Sequence, residues 1–328
     1  MKFWIVGLLV VAVVAVSNRS VAGPLTPKEA VRQMSRGINL GNTLEPPTEG
    51  AWNNGPAREY YFDDYKAAGF KCVRIPVRWD EHTATNAPYA VTDQWMNRVE
   101  QVVDWGLARG LFIIINAHHD DWLKTHYDDP SKRERFERIW VQISERFKGK
   151  SDHLIFEILN EPHGMTITQV NDMNARILKI IRASNPTRLV VFTGNEWSEP
   201  SRLIDAAVPN DAYVIGTFHL YSPSFFANDG KGTWGTAAAR ATLHQEFEKV
   251  SAWSATNGIP VLLGEFGAVS TCDPASRRAF YAAYVSEALS HGFAFTIWDD
   301  GGKFLVYERA ARGWNELKDV LITTPPAP

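Results

Sequence analysis

What most constrains this chain is an alternation: short, near-continuously apolar runs separated by longer segments with helical spacing. Eight such runs lie at residues 36–40, 71–77, 111–116, 154–159, 188–192, 213–218, 260–264 and 293–297. Most are rich in Val, Ile and Phe, the pattern of parallel strands covered on both faces. Between them, apolar positions recur three and four apart. The clearest set is Trp95, Met96, Val99, Val102, Val103 and Leu107, with Asp93 placed to cap the helix and Gly110 to close it. Segments 60–69, 131–147, 168–184, 237–257 and 274–290 read the same way, while the pieces after the fifth and eighth runs are less regular. Eight strand–helix units over about 300 residues predict an α/β chain folded as a (β/α)8 TIM barrel. The rival is an open doubly wound sheet. Against it, Gly37-Ile38-Asn39-Leu40-Gly41-Asn42 does not have dinucleotide-loop spacing and opens no helix.

The first 22 residues stand apart. Lys2 precedes an apolar run from position 3 to 16, and Ser20 and Ala22 are small residues placed for cleavage before Gly23. That is the build of a secretory signal peptide, and the apolar run is short for a membrane span, which needs about 20 residues. The expected organisation is therefore a signal at 1–22 and one catalytic barrel at 23–328, secreted to the extracellular space or periplasm. No membrane association is expected after signal removal. With 45% hydrophobic residues, 22% charged residues and a net charge of -3, no basic footprint for nucleic acid is present. Cys72 and Cys272 are the only cysteines, too few for a disulfide framework, and they are expected to be free thiols.

In a barrel of this kind, chemistry is carried at the carboxyl ends of the strands. Reading only those positions gives Asn39 and Asn42, then Trp79 and Asp80, His118-His119, Asn160-Glu161-Pro162, Asn195-Glu196-Trp197, His219 and Tyr221, Glu265, and Trp298-Asp299. Polar and aromatic groups gather at the same end of all eight strands. Glu161 and Glu265 each terminate an apolar strand, the fourth and the seventh, which face each other across an eight-strand ring. Two opposed carboxyl groups are what glycosidic hydrolysis requires, one to protonate the leaving oxygen and one to act on the anomeric carbon. Two partly buried glutamates in ion pairs are the alternative reading of the same positions. Glu157 shares side-chain parity with Glu161 and points into the barrel, where Arg74 is a candidate partner.

Taken together, Asn160-Glu161-Pro162, His219-Leu220-Tyr221 and Gly264-Glu265-Phe266-Gly267 resemble glycoside hydrolase family 5. Gly37–Asn42, Val73-Arg74-Ile75-Pro76, Asn116-Ala117-His118-His119 and Ile297-Trp298 extend the resemblance over nearly the whole chain after residue 22. It implies Glu161 as acid/base and Glu265 as nucleophile. It also implies support from Arg74, Asn160, His219 and Tyr221: Asn160 on the sugar 2-hydroxyl, Arg74 holding Glu265 ionised, and the Tyr221 hydroxyl touching it. Asn42, Glu45, His118, His119, Trp197, Trp234 and Trp298 are the implied substrate contacts, with Trp298 under the sugar at the cleavage point.

The chain has twelve tryptophans. Trp95, Trp105, Trp140, Trp253 and Trp314 fall in helical patterns and are expected to pack the core. Trp52, Trp79, Trp122, Trp197, Trp234 and Trp298 fall at strand ends or beyond, which favours a cleft spanning several sugar units. The expected activity is retaining endo-β-1,4-glucanase action on cellulose or related β-glucans, by a monomer. The alternatives are an endo-β-1,4-mannanase or dual enzyme, implied by the resemblance of the loop 42–47 to a branch of family 5 in which some members also cleave mannan, and a non-catalytic carbohydrate-binding barrel. A metal at His118, His119, His219 and Glu265 is disfavoured, because adjacent histidines on a strand point to opposite sides. No metal and no cofactor is expected.

Overall fold

The computed structural model describes Met1 and residues 23–327. The signal segment assigned to 1–22 lies outside the described residues apart from Met1. Among the described residues no helix is long and apolar enough to cross a membrane.

The eight apolar runs form eight strands: β1 (Arg36–Asn39), β2 (Cys72–Ile75), β3 (Phe112–Asn116), β4 (Leu154–Glu157), β5 (Val190–Phe192), β6 (Val214–His219), β7 (Val261–Glu265) and β8 (Ala294–Ile297). They pair in parallel and in chain order, and β8 closes on β1. This is the (β/α)8 barrel. The helices are α1 (Pro27–Met34), α2 (Tyr60–Ala68), α3 (Asp93–Ala108), α4 (Asp121–Lys124), α5 (Pro130–Phe147), α6 (Ile167–Ser184), α7 (Pro200–Asp205), α8 (Ser224–Ala227), α9 (Ala237–Asn257), α10 (Pro274–Ser290) and α11 (Leu317–Thr323). The two irregular stretches hold short helices, α7 and α11. A two-stranded ribbon, β9 (Tyr307–Glu308) with β10 (Gly313–Trp314), lies in the last loop.

Helix boundaries follow local chemistry. Thr166 accepts from the Gln169 N–H while the Gln169 side chain returns to the Thr166 N–H, a capping box opening α6. Asp129 and Asp273 cap α5 and α10, each ahead of a proline in the first turn.

Strand parity sorts the barrel interior into layers. At the amino-terminal end, Cys72, Ile114, Ile155, Val191, Ile215, Leu262 and Ala294 form an apolar layer, closed from below by Ala30, Val31 and Met34 of α1. Two residues further along the strands the interior turns polar: Asn39, Arg74, Asn116, Glu157, Thr217 and Thr296 are all buried. These groups are paired within the barrel. Asn39 Nδ2 donates to the carbonyls of Gly264, Thr296 and Ile297 at 3.0–3.1 Å. The Thr296 hydroxyl donates to Gly264 O at 2.6 Å, and the Thr217 hydroxyl to Leu262 O at 2.9 Å. Such pairing is what makes a buried polar layer tolerable. It forms the floor on which the carboxyl-terminal residues stand. Cys72 and Cys272 are free and buried, as expected.

Candidate active site

Arg74 organises the floor. It is fully buried, and its guanidinium donates from Nε and Nη2 to Glu157 at 2.6 and 2.9 Å, and from Nη1 to Glu265 Oε1 at 2.7 Å. The same head donates to Asn39 Oδ1 at 2.8 Å and Asn160 Oδ1 at 2.7 Å. Burial alone lowers an arginine pKa, but the charges of Glu157 and Glu265 outweigh it, so Arg74 is held charged. Glu157 is therefore the interior partner that its parity predicted. Because Arg74 fixes the Asn160 oxygen, the Asn160 amide N–H groups are left to face the cleft as donors.

Above this floor opens a cleft of about 890 Å³, lined by Asn42, Trp52, His118, His119, Asn160, Glu161, Trp197, His219, Tyr221, Glu265 and Trp298, among others. Side-chain donor atoms of Glu161, His219 and Glu265 all lie within 4.8 Å of one another. His219 Nδ1 is 2.8 Å from Glu161 Oε1 and 3.8 Å from Glu265 Oε2. The Tyr221 hydroxyl donates to Glu265 Oε2 at 2.9 Å. Glu265 thus receives Arg74 on one oxygen and Tyr221 on the other.

Gly264 makes the approach of His219 feasible, since a Cβ there would come 2.7 Å from His219 Nε2 and 2.8 Å from the Thr217 hydroxyl. Gly41 does the same for Trp298, whose ring atoms would be 3.1 Å from an added Cβ. Asn42, His119, Glu161 and Trp197 all line the cleft and all have left-handed backbone, with φ of 54°, 59°, 41° and 54°. Each such residue costs on the order of 1–3 kcal/mol, and this strain collects at the cleft mouth.

An acid that holds its proton beside an ionised nucleophile calls for Glu161 to titrate above Glu265, and the two glutamates here run in the opposite order. Burial pushes Glu265 up and outweighs the charges of His219 and Arg74, which pull it down. Arg74 is shared with Glu157, so only part of its charge serves Glu265. Burial also pushes Glu161 up, but there the hydrogen bond and charge of His219 win and its pKa is lowered. His219 is raised, the charges of Glu265 and Glu161 overcoming its burial. The proton of the Glu161–His219 pair therefore rests on the imidazole in this geometry. His219 Nε2 is buried with no partner, so a charged ring carries one unpaired N–H, a cost of about 1–3 kcal/mol. That cost narrows the gap to the form in which Glu161 holds the proton.

His118 is buried and held neutral, its pKa lowered by burial. Its Nδ1 lies 3.2 Å from the Asn116 amide nitrogen, so it accepts there and presents Nε2–H. Its ring lies parallel to Trp298 at 6.2 Å. The parity argument fails for His119, because its left-handed φ turns the ring back, so both histidines line the cleft. Burial pulls the His119 pKa down to about 4, with Arg78 adding to the effect.

Two expected substrate contacts are elsewhere. Glu45 is buried beneath its own loop, accepting from the Thr43 N–H at 3.0 Å and from the Asn42 N–H. It closes the turn after β1 and does not line the cleft. Burial pushes its pKa up to about 7, against the pull of those backbone donors. Trp234 is also buried, packed edge-on to Phe280 at 5.5 Å under the Arg240 guanidinium. Of the six tryptophans placed at the mouth, Trp52, Trp197 and Trp298 line it. Trp79 is fully buried with its indole N–H on Asn116 O at 2.8 Å. Trp122 packs on Phe136 and bonds Asp120.

The sequence reading missed His163, Lys124 and Phe304, which also line the cleft. His163 stacks parallel to Trp197 at 5.3 Å, making a two-ring platform at the rim. Its only signal was its position two residues after Glu161. Asp299 and Asp300 shape the last loop instead of facing substrate. Asp299 accepts from the Gly301 and Tyr307 N–H groups, and Asp300 from those of Gly302 and Phe304.

Comparison with known proteins agrees with this geometry. The model of the cellulase family (glycosyl hydrolase family 5) matches residues 33–303. Endoglucanase H of Acetivibrio thermocellus is 52% identical over 276 residues, covering 84% of this chain and 30% of that protein. Cellulase/esterase CelE of the same organism is 37% identical over 294 residues, covering 83% of this chain and 36% of that protein. The chain thus spans about a third of the length of these two relatives. Thermotoga maritima Cel5A superposes with a TM-score of 0.87 at 34% identity, covering 90% of this chain and 100% of that one, in structures with mannotriose and with cellobiose.

Proposed function

The chain belongs to glycosyl hydrolase family 5, and on that premise we propose that it is a retaining endo-β-1,4-glucanase with Glu265 as nucleophile and Glu161 as acid/base. The observation that carries this reading is the approach of the two carboxylates to within 4.8 Å across the cleft. Retaining pairs sit about 5–5.5 Å apart, whereas inverting pairs leave about 6.5–9.5 Å for a water.

In the first step a Glu265 oxygen bonds to the anomeric carbon while the bond from that carbon to the leaving oxygen breaks. The leaving oxygen takes its proton from Glu161. In the second step water attacks the anomeric carbon, Glu161 accepts the water's proton, and the ester to Glu265 is released. The proton spent in the first step reaches Glu161 from His219, 2.8 Å away, when substrate binds, and the water's proton replaces it in the second. Substrate that excludes water from the cleft disfavours the separated charges of the imidazolium–carboxylate pair, and so returns the proton to Glu161 when it is needed. Tyr221 and Arg74 stabilise the carboxylate form of Glu265 before attack. The Asn160 N–H groups are placed to donate to the sugar hydroxyl beside the reacting carbon.

Trp52, Trp197 and Trp298, spread along an open cleft, support action inside a long chain, since flat rings stack on the apolar faces of successive sugars. Glucan is favoured over mannan because the relatives are endoglucanases and cellulases. We further propose that the enzyme acts as a secreted monomer. Side-by-side rates on carboxymethylcellulose, barley glucan, glucomannan and xylan test the substrate reading. Fastest turnover on the glucans supports it, and faster release from a pure mannan or xylan contradicts it.

A further inference from the structure

Away from the cleft, α9 and α10 present two i, i+4 pairs to each other. His244 and Glu248 stand on α9, and Glu287 near the end of α10 is followed by His291 just past its last residue. Residues four apart share a helix face, so the four side chains meet in the groove between the helices. His244 Nε2 lies 3.8 Å from Glu248 Oε1. His291 Nε2 lies 3.7 Å from the same oxygen. One donor atom from each of these three residues lies within 4.8 Å of the others. On the opposite side of the His244 ring, Nδ1 lies 3.1 Å from Glu287 Oε2.

We propose that this groove is a binding site for a divalent transition-metal ion of the zinc class, held by His244 Nε2, Glu248 and His291 Nε2. Three features point to it. First, two imidazoles and a carboxylate are a donor set suited to Zn²⁺, with the fourth position left to water. At metal–ligand bonds of about 2.0–2.2 Å, tetrahedral donors sit roughly 3.4 Å apart. The two contacts to Glu248 need to close by only a few tenths of an ångström, and the exposed Glu248 side chain can supply that movement. Second, His291 Nε2 is buried and has no hydrogen-bond partner. That nitrogen stands 3.4 Å from Glu287 Oε2 and 3.7 Å from Glu248 Oε1, within ion-pair range of both carboxylates but hydrogen-bonded to neither, which leaves it open to a metal. Third, Glu287 accepts from the far nitrogen of His244, the outer carboxylate that fixes the tautomer and ring plane of a ligating histidine. The rival role for the cluster is a set of interhelical ion pairs formed when the histidines are protonated.

The site has structural reach, because Thr242 and Glu246 on the opposite face of α9 line the cleft. A metal bridging α9 to α10 braces that wall without touching the reacting groups.

The test uses untagged protein titrated with ZnCl2 in a calorimeter and melted with and without it, at a pH where both imidazoles are neutral. The expected result is one ion per chain and a rise in melting temperature of roughly 2–5 °C at a hundredfold excess over Kd. Co²⁺ in place of Zn²⁺ should give the visible absorption of a four-coordinate ion. Glu248→Gln and His244→Ala, both exposed and remote from the cleft, should each remove the melting shift and leave metal-free hydrolysis unchanged. Glu287→Gln should weaken binding by about 10–100-fold, as loss of an outer carboxylate does. Absence of binding at about 100 μM ZnCl2 overturns the proposal. So does binding that both ligand variants retain in full, which would place the ion elsewhere, for example among Glu161, His219 and Glu265, where it would inhibit.

Discussion

Glu157→Gln should destabilise the barrel and at the same time move the acid limb of the pH–rate profile to lower pH. Glu157 accepts from Arg74 at 2.6 and 2.9 Å, and the two side chains are 2% and 0% exposed. Glutamine keeps one acceptor oxygen and turns an amide N–H toward a guanidinium, so one bond is lost. A hydrogen bond to a charged group contributes about 1.5–3 kcal/mol, and removing one member of a buried pair outright costs about 3–5 kcal/mol. Arg74 keeps Glu265, so the expected loss is about 2–4 kcal/mol, from a total stability on the order of 5–15 kcal/mol. The second effect is electrostatic. Glu265 must be ionised to attack, and its pKa is raised chiefly by burial, with Arg74 opposing. In the free enzyme kcat/KM therefore falls as pH drops through that raised value. Once Glu157 no longer carries charge, Arg74 acts on Glu265 alone and lowers its pKa. A shift of roughly one unit toward acid corresponds to about 1.4 kcal/mol. Denaturant unfolding and kcat/KM on a soluble glucan across the acid range read the two effects. An acid limb that stays in place or moves upward, with stability within about 0.5 kcal/mol of the parent, would refute the shared-arginine argument.

Two further substitutions separate positioning from binding. Gly264→Ala puts a methyl 2.7 Å from His219 Nε2, and should cut kcat by at least about tenfold through displacement of His219 while KM changes little, a split read in steady-state kinetics. Trp197→Ala removes a 53% exposed ring, and should raise KM for polysaccharide roughly tenfold while stability stays within about 0.5 kcal/mol. A loss of stability with unchanged KM would make Trp197 a packing residue.

The fold and the centre of the site were legible because both follow from strand period and strand ends. Glu265, Arg74 and Glu157 sit on strands, where parity fixes direction, whereas Glu161 follows β4 through a left-handed residue and was marked by its place at the strand's carboxyl end and by the family resemblance. What escaped lies in loops. His119 turns into the cleft through a left-handed residue that parity does not encode. Glu45 folds under its own turn, where backbone N–H groups satisfy it. Trp234 packs on Phe280, and nothing in the composition of a loop distinguishes that fate from a platform for sugar. The reversed order of the two glutamate pKa values had a different origin. His219 is expected to support the pair, but nothing in the sequence places it 2.8 Å from Glu161, where it competes for the proton.

The central claim, that Glu265 and Glu161 are nucleophile and acid/base, is tested most directly on an aryl β-glycoside with a good leaving group. Glu161→Ala should still form the covalent intermediate and then stall, giving a burst of phenol and a slow steady state, because Glu161 must also activate the incoming water. Azide needs no base, so it should speed the slow phase and yield a glycosyl azide of retained β configuration. Glu265→Ala should give neither burst nor β-azide, since no glycosyl-enzyme forms without the nucleophile. Swapped responses would exchange the two roles, and near-native turnover in both variants would contradict the assignment of this pair altogether.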